Sequence, residues 1–236
     1  MTDQRATGPV PLSPGDARHP FDPGALCLEL LTTGGPGTPA GYELLHHPED
    51  LTRWLARSRL ELPAGVHVDA AQLTAARTLR DALRRLAAAR AHGEAGAGAD
   101  YAVLNRAAAH PPLVPRIDPN GAAAAPLPAD GDQLVSTLAR DAIALFTGPF
   151  AHRVRECGAS DCSLIFVDTS RPGRRRWCSM ERCGNRHKVR ALRARRDRAD
   201  GAEPAGQPAP DAGPPLRRGH SAHGGVSPRT DRTFTG

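Results

Sequence analysis

The sequence predicts a mainly α-helical protein, in which a helical N-terminal domain is followed by a small module made of a β-hairpin and a helix. Two observations support this fold class. Leucine and alanine recur at helical spacing over two long segments, whereas aromatic residues make up only 4% of the chain, so the core must be built from aliphatic side chains on helices. Near the C-terminal end, four cysteines in two pairs flank a short β-prone segment, which indicates a small module held together by its cysteines.

Two segments carry the clearest helical periodicity. The first runs from about Asp69 to His92, where Asp69 can cap the start of the helix and Gly93 its end. The second covers residues 133–147. In both segments the apolar residues align on one face, which is typical of helices that pack on a core. The aligned residues are Leu73, Ala76, Leu79, Leu83 and Leu86 in the first segment, and Leu134, Leu138, Ala142 and Leu145 in the second.

Three shorter segments complete the predicted helical domain, which spans residues 21–150. Residues 25–31 form a short apolar segment, residues 47–60 are predicted to be a helix with a proline in its first turn, and residues 100–109 form a further short helix. The apolar segment contains Cys27. This cysteine stands far from the other four and is expected to be a buried thiol.

Both ends of the chain are predicted to be disordered. Residues 1–20 are polar and rich in Pro and Gly, and residues 199–236 consist largely of Pro, Gly, Ala, Ser and Arg, a composition that cannot bury enough apolar surface to fold. The N-terminus lacks the basic start and apolar run of a signal peptide, and no apolar stretch approaches the roughly 20 residues that span a bilayer. We therefore expect a cytoplasmic protein with no membrane partner, in which thiols stay reduced.

The four cysteines near the C-terminal end are spaced as two equal pairs. Four residues separate Cys157 from Cys162 and Cys178 from Cys183, and 15 residues lie between the pairs. A short loop lets two thiolates reach one ion, so the spacing predicts one structural Zn²⁺ ion bound by these four cysteines. Four thiolates leave no coordination position for water, which argues against a catalytic metal. Unpaired buried thiols and disulfides are the alternatives, and a reducing compartment disfavours the disulfides.

The C-terminal module is predicted to span residues 151–198, with a hairpin between the two cysteine pairs. Residues 164–167 are β-prone, residues 171–173 suit a turn, and residues 174–177 are expected to return as the second strand. Such a hairpin would bring the two pairs to the same ion.

Positive charge is concentrated in this module. Of the 31 lysines and arginines, 14 lie between residues 151 and 198, together with 5 acidic residues, although the whole chain has a net charge of only +6. Such a concentration is typical of a surface that binds a polyanion. The alternative is a solvated face with no partner, but the acidic residues are too few to neutralise the arginines.

A helix predicted from Ser179 to about Arg198 presents part of this charge. Because each residue turns the helix by about 100°, four of its arginines fall within one sector about 80° wide: Arg182, Arg186, Arg190 and Arg193. Val189 and Leu192 occupy the neighbouring sector and are expected to pack on the hairpin or the helical domain. Guanidinium groups match phosphate oxygens and guanine edges, so we expect duplex DNA to bind here. The expected contact residues are Arg174, Arg175, Arg176, Arg182, Arg186, Lys188, Arg190 and Arg193.

Several short motifs follow one another through the module. They are Cys157-x4-Cys162, Phe166-x-Asp168-x-Ser170, Arg175-Arg176-Trp177-Cys178-Ser179 and Cys183-Gly184-Asn185-Arg186-x-Lys188. This stretch closely resembles the bacterial CGNR zinc-finger family, which is named for the tetrapeptide at residues 183–186. Members of that family usually carry an Ala-rich, mainly helical N-terminal domain, which the leucine-striped helices and residues 26–30 resemble. Residues 30–33 depart from the phenylalanine, asparagine and threonine that the family commonly has near that start.

The resemblance implies zinc on the four cysteines and DNA binding in a transcriptional role. Asp168 and Ser170 are expected to hold the hairpin through arginine pairing and turn hydrogen bonds, and Trp177 to pack between hairpin and helix. Asn185 could contact a base or make a local backbone hydrogen bond.

Two functions are compatible with these residues. The first is a bacterial transcription regulator, in which the helical domain binds a small-molecule effector or self-associates and the C-terminal module holds DNA. The second is a zinc-stabilised adaptor whose basic face binds RNA or an acidic protein. An enzyme is disfavoured, because the sequence contains no Ser/His/Asp set, no phosphate loop and no HExxH motif.

Overall fold

The computed structural model describes residues 21–36, 42–60, 66–124 and 128–200. The segment 1–20 and residues 201–236, both predicted to be disordered, lie outside the described residues. The described residues up to Arg195 belong to one compact unit. The described helices are α1 (Leu26–Leu30), α2 (Pro48–Leu55), α3 (Ala70–His92), α4 (Gly98–Ala108), α5 (Gly131–Thr147) and α6 (Asn185–Asp200).

Three small two-stranded sheets connect these helices. In the first, β1 (Val66–His67) pairs in parallel with β4 (Ala129–Asp130). In the second, β2 (Arg116–Ile117) pairs antiparallel with β3 (Ala123–Ala124). In the third, β5 (Val154–Glu156) pairs antiparallel with β6 (Ile165–Val167). The predicted mainly α-helical fold class is therefore confirmed. Within the described ranges, no helix combines the length and apolar character that crossing a membrane requires.

The two long helices form where the sequence predicts them, because both carry local start signals. The side chain of Asp69 accepts a hydrogen bond from the backbone N–H of Gln72, and the side chain of Gln72 accepts one in return. Asp130 and Gln133 form the same reciprocal capping box at the start of α5. At the end of α3, Gly93 adopts the left-handed conformation (φ 75°) that a helix C-cap favours.

The core of the helical domain is aliphatic, as predicted. Leu83 of α3 and Leu134 and Leu138 of α5 are fully buried, in one cluster with the leucines of α1 and α2. Cys27 is also fully buried, which confirms the predicted thiol, and burial raises the pKa of that thiol well above its ordinary value.

Two buried arginines of α3 add specific links. Arg80 donates to both carboxylate oxygens of Glu43, at 2.7 and 2.8 Å. Arg84 donates to the backbone carbonyl of Leu31 at 3.3 Å and to that of Ser163 at 3.0 Å. Because Ser163 follows Cys162 directly, Arg84 ties the helical domain to the cysteine-bearing loop of the C-terminal module.

The hairpin of the module is not the predicted one. Residues 165–167 do form a strand, but it pairs with β5, which precedes the first cysteine pair. The predicted return strand, residues 174–177, lies in the described part of the chain and forms no strand. Pairing with β5 buries Val154 together with the β-branched residues of β6, which three consecutive arginines and a tryptophan could not do. The first cysteine pair therefore lies in the hairpin loop.

The two faces of β6 belong to two different cores. Ile165 and Val167 join the aliphatic cluster of the helical domain, whereas Phe166, between them, packs with the cysteines. This follows from the alternation of side chains along a strand. Phe21 joins Phe166 on the cysteine side, since the segment that precedes α1 runs beside β6 and the backbone N–H of Val167 donates to the carbonyl of Pro23 at 2.8 Å.

The predicted packing of Val189 and Leu192 is wrong. Their side chains are 47% and 45% exposed on α6. The side of α6 that meets the hairpin loop carries Arg186 and Arg190 instead, which form ion pairs with Asp161. The two apolar residues lie in the adjacent sector of the helix, outside these ion pairs.

Candidate metal centre

Four cysteines converge from three local structures. Cys157 and Cys162 begin and close the loop of the β5–β6 hairpin, and Cys178 follows the arginine-rich segment. Cys183 lies in a π-helical turn, Met180–Gly184, directly before α6. Ser179 caps this turn, because its hydroxyl accepts from the backbone N–H of Arg182 at 3.4 Å.

The distances between the sulfur atoms fit a tetrahedral metal site. All four Sγ atoms lie within 4.8 Å of one another. The Sγ atoms of Cys162 and Cys178 are 3.8 Å apart, and those of Cys178 and Cys183 are 3.5 Å apart. Zinc–sulfur bonds of about 2.3 Å place tetrahedral thiolates roughly 3.8 Å apart. The sulfur atoms of a disulfide are separated by only about 2.05 Å, so these cysteines are free thiols, as is Cys27.

The pKa values of the clustered thiols depend on one another. Hydrogen bonds from Cys162 and Cys178 lower the pKa of Cys157. The hydrogen bond with Cys157 raises the pKa of Cys162 to about 12, and it raises the pKa of Cys178 as well. In the absence of a cation, one thiolate therefore suppresses ionisation of its neighbours. The donor set fits zinc, which would fix all four thiolates in one cross-link and leave no position for water.

Arg186 connects the second cysteine pair to the hairpin loop. Its guanidinium donates to the Sγ atom of Cys183 at 3.2 Å, and a second nitrogen lies 3.2 Å from the carboxylate of Asp161. Hydrogen bonds to ligating thiolates orient them and favour their charged form. Arg186 is therefore a supporting residue of the metal centre, in addition to its predicted place on the basic surface.

Arg175 has an internal role. Its side chain donates to the carbonyls of Trp177, at 3.0 Å, and of Cys178, and its guanidinium lies 4.3 Å from the centre of the Phe166 ring. These contacts hold the segment before Cys178 against the hairpin and leave little of this guanidinium for a partner.

Asp168 organises the turn between the hairpin and the second cysteine pair. It is fully buried and accepts hydrogen bonds from the backbone N–H and hydroxyl of Ser170 and from the backbone N–H of Arg175. Although burial opposes ionisation, these hydrogen bonds lower the pKa of Asp168. The predicted turn hydrogen bonds are confirmed. Arg175 contributes its backbone N–H to the carboxylate, and the guanidinium of Arg153 donates to the backbone carbonyls of Asp168, at 3.3 Å, and of Ser170, at 2.8 Å.

The remaining predicted nucleic-acid contacts lie mostly on the surface. Arg182 is half-buried, and Arg190 is exposed but paired with Asp161 at 2.8 Å. Four others are exposed, and we call them the basic face: Arg174, Arg176, Lys188 and Arg193.

An aromatic contact joins the two parts of the basic face. The guanidinium of Arg176 lies 5.1 Å from the centre of the Trp177 ring, and that ring lies 4.6 Å from the ring of His187 on α6. The arginine-rich segment therefore contacts the first turn of α6 through these rings.

The sequence analysis missed three residues of this region. Phe21 enters the cysteine cluster, Arg84 anchors the hairpin loop to α3, and Asp161 pairs with two arginines of α6. The one available signal was the position of Asp161, an acidic residue between two cysteines of a strongly basic module.

Fold and site together define a class: a mainly helical protein with a small tetrathiolate zinc module. Family models match both parts. Residues 24–149 match the ABATE family, described as a putative stress-induced transcription regulator, and residues 153–196 match the CGNR zinc finger. The first match covers more than half of the chain, so the chain belongs to the ABATE family. It carries a CGNR zinc finger with one structural zinc ion, as predicted. No curated protein matches the chain significantly.

Proposed function

We propose that this protein is a transcription regulator whose zinc finger binds duplex DNA through the basic face, and that it acts by binding rather than by catalysis. In this proposal the helical domain receives the signal, by binding a small effector or by self-association. The observation that carries the proposal is the exposed basic face, because the segments that carry its residues are held in place by the metal centre.

Rigidity matters because phosphate contacts are made by groups fixed relative to one another. Cys178 follows Trp177 directly, Cys183 lies two residues before α6, and Trp177 packs on His187. The zinc cross-link therefore determines how Lys188 and Arg193 are placed relative to Arg176. Removing zinc should therefore weaken DNA binding without changing the charge of any of these residues.

Charge supports a polyanion as the partner. The basic face consists of four exposed cationic residues. Of the acidic residues in the module, Asp168 is buried and hydrogen bonded and Asp161 is paired with Arg186 and Arg190, whereas Glu181 is exposed. A surface with an excess of one sign raises the local concentration of a polyanion and accelerates its association. The family description supplies the transcriptional context.

The test is the salt dependence of binding to a random duplex, measured by fluorescence anisotropy. Neutralising about five phosphates would give a slope of log affinity against log salt near −4.5. Arg193→Ala should make this slope shallower by about 0.9. The matched control is Arg106→Ala, which removes an exposed arginine of α4 in the helical domain and should leave the slope unchanged.

Three outcomes would reject the proposal. A slope near zero would exclude phosphate contacts. Tighter binding to single-stranded RNA or to an acidic peptide than to duplex DNA would favour an adaptor. Unchanged DNA affinity after chelation of zinc would show that the metal centre does not position the DNA-binding residues.

A further inference from the structure

One acidic side chain holds two arginines of α6. Asp161, in the hairpin loop, lies 2.8 Å from the guanidinium of Arg190 and 3.2 Å from that of Arg186. The two arginines are four residues apart, so they stand one turn above each other on the same side of the helix. A single carboxylate is thus shared by two guanidinium groups.

The geometry of this group resembles that of a bound phosphate. Guanidinium groups recognise carboxylate and phosphate oxygens through the same hydrogen-bonding geometry. The carboxylate of Asp161 is 39% exposed, and the side chain of Arg190 is 56% exposed, so the pair lies at the surface beside the basic face. Exposed ion pairs are individually weak, and a phosphate can therefore replace the carboxylate.

We propose that Arg186 and Arg190 form a phosphate-binding cradle that Asp161 fills in the free protein, and that a backbone phosphate of DNA displaces Asp161 on binding. This inference rests on the proposed function, since it assigns one of its phosphate contacts. Arg186 stays in place during the exchange, because it also donates to the Sγ atom of Cys183. Arg190 changes its ion-pair partner, from the carboxylate of Asp161 to the DNA phosphate.

The internal carboxylate lowers affinity for every polyanion. It must be displaced before the cradle is used, and it remains nearby as a like charge. At the same time it orients both guanidinium groups towards one point, so the cradle exists before DNA arrives. Asp161 is thus a positioning residue that limits non-specific binding.

The experiment compares Asp161→Asn with Asp197→Asn, which removes one negative charge from the same basic segment. Both variants are first checked for one zinc per chain. Asp161→Asn should tighten binding to a random duplex about three- to tenfold and leave the salt slope nearly unchanged, because the same phosphate occupies the cradle in both proteins. Asp197→Asn should change affinity less than twofold. Equal effects of the two substitutions, or weaker binding by Asp161→Asn, would overturn the cradle.

A double-mutant comparison tests the role of Arg190. In an Arg190→Ala background, Asp161→Asn should have no more effect than Asp197→Asn, because the main cation of the cradle is gone. An undiminished effect in that background would show that Asp161 acts through overall charge, which contradicts the proposal.

A measurement on the unaltered protein does not depend on how the variants fold. The carboxyl ¹³C resonance of Asp161 should shift when duplex is added to saturation, because its ion pairs are lost. No shift at saturation would overturn the exchange while leaving DNA binding intact. If the unaltered protein bound no duplex, the proposed function would fail. The phosphate-binding cradle would then be tested by the elution of the two variants from heparin. Later elution of Asp161→Asn than of Asp197→Asn would support it, and coincident elution would reject it.

Discussion

The helical domain buries a continuous aliphatic cluster, whereas the cluster centred on the C-terminal module contains five buried side chains among the described residues, three of them cysteines. Helices α3 and α5 also carry complete capping boxes at their starts. The module instead depends on the cysteine site, the buried Asp168 turn and contacts to neighbouring segments. Apolar burial can stabilise the first region alone, but the second is too small to fold without an additional cross-link.

Removal of one zinc ligand should have the largest effect and should separate the two regions. Zinc binding contributes roughly 10–16 kcal/mol of apparent free energy in zinc-finger peptides. We expect Cys178→Ser to lose stoichiometric zinc and amide-exchange protection over residues 170–195, while α3 and α5 remain protected. Cys27→Ser is the matched control, since it alters a buried thiol outside the cluster and should keep one zinc per chain. Full zinc and unchanged protection in Cys178→Ser would contradict this ligand set.

A cavity in the helical domain should lower the stability of that domain without loss of zinc, which is the reverse of the effect expected for Cys178→Ser. Leu83 is fully buried in α3, and truncation of such a leucine to alanine costs about 2–5 kcal/mol. Leu83→Ala should lower the free energy of unfolding by this amount in urea titrations followed by circular dichroism, with zinc still bound in the folded state. Leu192→Ala, at a position that is 45% exposed, should change stability by less than about 0.5 kcal/mol. A larger effect at Leu192 would mean that α6 packs on a partner in solution.

The Asp168 turn should respond to pH in a defined direction. Its pKa is lower in the folded protein than in the unfolded chain, so the stabilisation is complete above the unfolded pKa of about 3.9 and is lost as the pH falls through the folded pKa. Asp168→Asn should destabilise the module by roughly 1–3 kcal/mol at neutral pH.

The pH profile provides the control for this prediction. The difference in unfolding free energy between the unaltered protein and Asp168→Asn should be constant near neutrality and should decrease below about pH 4. Ser170→Ala, which removes one hydroxyl donor, should show a smaller loss. A difference that grows towards acid pH would have the wrong sign for an ionised Asp168.

The smallest effect is expected at a helix cap. Asp130 accepts from the backbone N–H of Gln133 at 2.9 Å, and replacing such a cap by alanine costs about 1 kcal/mol. Asp130→Ala should therefore lower the thermal midpoint slightly, while Asp130→Asn, which also caps well, should stay near the original value. Zinc content should be unchanged in both variants, since α5 contributes no cysteine. Equal midpoints for the two would show that this cap adds nothing to stability.

The sequence predicts features whose signals are local. Asp69 and Gly93 mark the ends of α3, and the spacing of the four cysteines identifies the metal ligands without any knowledge of the fold. The hairpin could not be found in this way. Its pairing is decided by which strand buries β-branched residues against α3, a contact between residues distant in sequence.

The orientation of α6 was unpredictable for a related reason. Periodicity places Val189 and Leu192 in the sector beside that of Arg186 and Arg190 but does not say which of the two sectors meets the hairpin loop. That choice depends on the π-helical turn before α6 and on Asp161. Ion pairs, rather than apolar contacts, determine it.

Strand β6 has a practical consequence for dissecting this protein. Because Ile165 and Val167 belong to the helical core while Phe166 belongs to the metal centre, a fragment that starts at residue 151 would expose the apolar face of β6 to water. Exposed strands of this kind are templates for aggregation. A soluble fragment that contains the zinc finger must therefore include residues that cover β6, or remain attached to α3.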